Sequence, residues 1–153
     1  MAKPQTIPHR WHPVFIHFPI TCWVLATGLD VATMLMPVRN WVPGVDLIAL
    51  AHLFIWLGVA VSIPAVIAGL IDYRIVSEEA TGMIDRHATW MIAAITLFLI
   101  AGIWRLRGAA FDAPIPTALL FVELAGSMAL VVGGRVASIV VFGHCGSVRS
   151  TTR

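Results

Sequence analysis

"LIALAHLFIWLGVAVSIPAVIAGLI", Leu47–Ile71, runs without a formal charge and is broken only by His52 and Pro64. A helix crosses the hydrocarbon core of a bilayer with about 20 apolar residues. Backbone groups in lipid must be satisfied within their own segment, so a run of this length reads as a helix. Three more such stretches lie around it. Val14–Met36 carries only Asp30 as a formal charge, Ala88–Trp104 carries none, and Ile115–Phe142 contains Glu123 and Arg135. Helices are expected over 14–36, 47–71, 88–106 and 115–142. The connections Pro37–Asp46, Asp72–His87 and Arg105–Pro114 are polar or punctuated by Pro and Gly, and short enough to make successive helices antiparallel neighbours. The expected fold is all-α, an integral membrane four-helix bundle forming one domain over residues 1–153.

Composition agrees. The 153-residue chain is 59% hydrophobic and 12% charged, against about 45–50% and about 25% in soluble domains. A net charge of +2 spread thinly, without a basic run, argues against nucleic acid as a partner. Cys22 and Cys145 make no disulfide framework and read as small apolar residues. No nucleophile with a base and an orienting group is visible, so hydrolytic catalysis has no support. The first apolar run is too long for a signal peptide and reads as an uncleaved membrane helix. Four crossings place both termini on one side, with Lys3, Arg10, Arg74, Arg86, Arg149 and Arg153 against Arg39, Arg105 and Arg107 on the other. The positive-inside bias puts the termini of this multi-pass protein in the cytoplasm.

Topology sorts the ionisable residues into two layers. His17 in the first turn of the first helix, His87 opening the third and His144 just past the fourth all reach the terminus-bearing side, with Asp72 and His12 close by. On the fourth helix Gly126, Gly133, Ala137 and His144 share a stripe. Small residues of this kind serve close helix packing, and equally leave room for a flat macrocycle. Towards the opposite interface, Asp30, His52 and Glu123 lie at a common depth on three helices, as a proton site or as a polar clamp fixing helix register. A carboxylate at a helix centre costs about 2.5–3.5 kcal/mol to insert.

Imidazole suits zinc, copper, nickel and haem iron. Zinc motifs with short local spacing are absent, as is the C-x-x-C-H of covalent c-type haem. Non-covalent haem b needs only axial side chains on facing helices, a slot of apolar and small residues, and cations for its propionates. His17 and His87 on the diagonal helices are the expected axial ligands, with His144 in reserve, Gly133 beside the macrocycle, and Arg10 and Arg86 at the propionates. Pro13 and Pro19 are read as fixing the first turn of the helix and aiming His17 into the bundle.

"HPVFIHFPI" at His12–Ile20, Asp30, "AGLIDY" at Ala68–Tyr73, His87, Arg105 and "VVFGHCGSV" at Val140–Val148 together resemble a bacterial membrane family called domain of unknown function 2231. The resemblance spans nearly the whole chain, and H-P-x-x-x-H-F-P is its most specific part. It carries over to His12, Pro13, His17, Phe18, Pro19, Asp30, Gly69, Asp72, His87, Arg105 and His144. Where the family tends to have Gly-Gly-Glu before its last histidine, Ala137-Ser138-Ile139 stands here, and Cys145 replaces the glycine after that histidine. Relatives joined to or near cytochrome and Rieske-type proteins imply a redox setting. The reading is then a haem b electron-transfer subunit without independent catalytic activity, partnered by the bilayer and by subunits of a respiratory or photosynthetic complex, cytochromes among them. The rivals are a cofactor-free structural subunit, and a small transporter or metal-handling protein using Asp30, His52 and Glu123 as a polar path.

Overall fold

The computed structural model describes residues 12–35, 45–74, 78–107 and 115–147; the side chains of 13, 78–80 and 140–147 lie outside that description. Four helices make up the described chain: α1 His12–Leu35, α2 Leu47–Tyr73, α3 Glu78–Arg107 and α4 Thr117–Ser147. All four are long and apolar enough to span a membrane, over Val14–Leu35, Leu47–Tyr73, Thr81–Arg107 and Thr117–Ile139. Their windows bury only 22–33% of their residues inside the protein. The outward remainder, Phe18, Leu70 and Phe121 among it, is large and apolar, a surface that lipid covers and water would not.

Helix ends differ from the apolar runs where polar residues continue a helix beyond the hydrocarbon. α3 begins at Glu78, well before Ala88, because the turns carrying Glu78, Glu79, Asp85 and Arg86 keep their backbone bonds in water as readily as in lipid. Much of the connection read as Asp72–His87 is therefore helix. At the opposite end of α2, the Asp46 carboxylate accepts from Ile48 N at 2.9 Å and Ala49 N at 3.2 Å, a side-chain cap on donors that lack helical partners. Pro19 is not in the first turn, as the sequence suggested, but inside α1, and Pro64 lies inside α2.

The packing is that of two hairpins. α1 lies mainly on α2 and α3 mainly on α4, with α1 and α3 on the diagonal. Equivalent residues do equivalent things in the two hairpins. His12 and His87, Trp23 and Phe98, and Asp30 and Arg105 are each 75 residues apart. His12 bonds the carbonyl of Ala65, and His87 that of Gly133. Trp23 lies against Gly58, and Phe98 against Gly126. Ala51, Ile55, Gly58, Ser62 and Ala65 are buried on α2, and Leu119, Glu123, Gly126, Leu130 and Gly133 are buried on α4 at a constant offset of 68. The hairpins are thus a parallel structural repeat, related by a pseudo-twofold axis along the bundle. Residues that meet their own equivalents must lie beside that axis, and three pairs do.

The middle pair makes the core. Trp23 and Phe98 stack with centroids 4.8 Å apart and planes 2° from parallel. A Cβ on Gly58 would come 2.4 Å from Trp23 Nε1, and one on Gly126 would come 2.8 Å from Phe98 Cε2. Two rings on one diagonal thus fill the bundle centre because the other diagonal gives up its side chains. Trp23 Nε1 donates to Ile55 O at 3.2 Å, which satisfies the indole. Van der Waals packing of this kind is what holds membrane helices together, since lipid is as apolar as leucine.

Candidate functional site

At the end of the axis nearer the termini stand His12 and His87. His12 Nδ1 lies 2.9 Å from Ala65 O, and His87 Nδ1 lies 2.9 Å from Gly133 O. A carbonyl only accepts, so each Nδ1 carries the proton. In the neutral ring the lone pair is then on Nε2. This is how proteins orient ligating or proton-accepting imidazoles. The ring centroids are 6.2 Å apart and the planes 84° from parallel. A Cβ on Gly69 would sit 3.1 Å from His12 Nδ1, so α2 approaches that ring closely.

His12, not His17, is the partner of His87. His17 is exposed on α1, and its carbonyl receives the Thr21 hydroxyl at 2.8 Å. Helical geometry explains the correction: five residues separate His12 from His17, about 140° further round the helix. Because α1 begins at His12 itself, that turn directs His12 inward and His17 outward. His87 lies well inside α3 rather than at its start, and Gly133 is buried on α4. Arg86 is exposed beside His87, and Asp72 is half-buried near the end of α2. His144 belongs to α4 rather than following it; its side chain and Arg10 lie outside the described residues.

The small-residue stripe is filled by protein. A Cβ on Gly133 would meet Met91 Cε at 2.3 Å and Trp90 Cβ at 3.1 Å. The glycines therefore serve close packing first. Met91 is unbranched and turns easily, so the space beside Gly133 is the adaptable part of this layer.

At the far end of the axis Asp30 and Glu123 converge, as their common depth suggested, and what joins them is Arg105. One guanidinium nitrogen, Arg105 Nη2, donates both to Asp30 Oδ2 and, at 2.7 Å, to Glu123 Oε1. Asp30 and Glu123 are 0% exposed and Arg105 8%. From the sequence Arg105 counted as an interfacial charge. It reaches the carboxylates because a long side chain near a helix C-terminus leans back towards the N-terminus, here into the bundle. The recurrence of histidine, aromatic, alanine and charge at His12, Trp23, Ala26, Asp30 and again at His87, Phe98, Ala101, Arg105 was the available signal. His52 is half-buried on α2 with its ring 6.4 Å from Trp56 at 69°.

Four membrane-length helices, a repeated hairpin and polar pairs strung along its axis define a multi-pass membrane protein with polar groups inside the bundle. The chain belongs to the predicted membrane protein family DUF2231, whose family model matches residues 8–148. No curated protein and no solved structure matches it.

Proposed function

We propose that the protein binds haem b between His12 and His87 and passes electrons within a larger membrane complex. The observation that carries this reading is the symmetric histidine pair, two imidazoles with Nδ1 engaged and Nε2 left as the lone-pair nitrogen. The two ring centroids are 6.2 Å apart. Among the described residues no group of three or more His, Cys, Asp or Glu could hold a metal ion. A macrocycle brings its own four nitrogens and would ask the protein for two. The haem iron, when bound, supplies one-electron exchange. His12 and His87 would hold it, and the exposed Arg86, next to His87 in sequence, would be the cation for a propionate. A single haem site exchanges electrons only with something outside the chain. Subunits of a respiratory or photosynthetic assembly in a bacterial inner membrane, with both termini cytoplasmic, complete the reading.

A reduced-minus-oxidised absorption spectrum of the protein purified after expression with ample haem, with a pyridine haemochrome assay, tests it. A b-type α-band that disappears in His12→Ala and His87→Ala but survives in His17→Ala is expected. A flat spectrum, or a band lost only with His17, refutes the ligand pair.

A further inference from the structure

We propose that the Asp30–Arg105–Glu123 cluster is a proton-binding site that holds one proton shared between the two carboxyls. Across the pseudo-twofold axis Asp30 and Arg105 are equivalent positions whose charges balance each other. Glu123 breaks that balance, because its equivalent on α2 is Ile55, a buried hydrocarbon. Two carboxylates facing one guanidinium leave a single negative charge inside the span, where an uncompensated charge is strongly unfavourable. One proton cancels it.

Geometry selects the proton. Both carboxyls accept from the same Arg105 nitrogen. Asp30 Oδ1 and Glu123 Oε2, both wholly buried, have no hydrogen-bond partner. A proton on either acid converts an orphaned acceptor into a donor for the other, and the pair titrates as a unit. A metal cation fits poorly. Hard cations collect about six oxygens, whereas the other unpartnered buried atoms nearby, Arg105 Nε and Trp56 Nε1, are donors. The titratable and charged groups of the cluster come one from each helix: Asp30 from α1, His52 from α2, Arg105 from α3 and Glu123 from α4. His52 is half-buried on α2.

Infrared difference spectroscopy of the full chain in lipid nanodiscs, in H2O and D2O, tests the site independently of any haem. At neutral pH the wild type is expected to show a protonated-carboxyl C=O band equivalent to one acid per chain, shifted in D2O. Asp30→Asn and Glu123→Gln should each abolish it, since the acid that remains is then balanced by Arg105 and ionises. Both variants keep a carboxylate–guanidinium pair and so are expected to fold. If one does not, titration of the wild-type band from acid to alkaline pH, in sodium and in choline buffer, decides by itself. Absence of the band at neutral pH overturns the proposal, as does a band that persists in both variants. A band seen only when sodium is withheld assigns the site to the metal cation and overturns it too.

Discussion

Replacing Arg105 by glutamine strips the guanidinium from two wholly buried carboxyls. Arg105 Nη2 makes two charge-assisted hydrogen bonds, to Asp30 and to Glu123. Hydrogen bonds to charged groups contribute about 1.5–3 kcal/mol each, so the pair accounts for about 3–6 kcal/mol. Breaking a buried ion pair from one side costs about 3–5 kcal/mol in proteins generally. Part of the loss is recovered because the abandoned carboxyls can take up protons, which puts the expected destabilisation at about 3–5 kcal/mol at neutral pH. The same reasoning gives a pH dependence. Acid supplies the neutralising protons, so the variant's deficit against wild type should shrink as pH falls and widen as pH rises. Reversible unfolding in mixed micelles with rising SDS, followed by circular dichroism and tryptophan fluorescence, measures both. A loss below about 1 kcal/mol, or a deficit that grows in acid, would show that Arg105 does not neutralise this cluster.

Three further outcomes follow from the axis and the caps. The exchange Asp30→Arg with Arg105→Asp keeps one charge of each sign at equivalent positions; it should recover at least half of the stability that either single change removes, and a purely additive loss in the same assay refutes the equivalence. Gly58→Val drives branched carbon into the Trp23 ring, which cannot retreat because it stacks on Phe98. Overpacking costs about 1–3 kcal/mol, with a further penalty if Trp23 Nε1 loses Ile55 O; an unchanged midpoint and unchanged Trp fluorescence would contradict the packing. Asp46→Ala removes two cap bonds from α2 and should cost about 1 kcal/mol, whereas Asp46→Asn should cost far less; equal losses would mean that charge rather than the cap matters.

Sequence alone determined the class of fold. Hydropathy is a property of each residue and survives without coordinates, so four spans, their order and the common depth of Asp30 and Glu123 were all legible. Which face a residue presents was less so. His17 and His12 differ by five positions, and a small error in where α1 begins turns the wrong histidine inward. Tertiary structure decided that His12 meets His87, because each ring is anchored on a carbonyl of its own hairpin partner. It also decided that Arg105, by sequence an interfacial charge, is the counter-ion of Asp30 and Glu123. Both results come from the pseudo-twofold arrangement of the hairpins, which brings residues 75 positions apart into contact. Such contacts depend on how helices pack across a diagonal, and no local run of sequence encodes that.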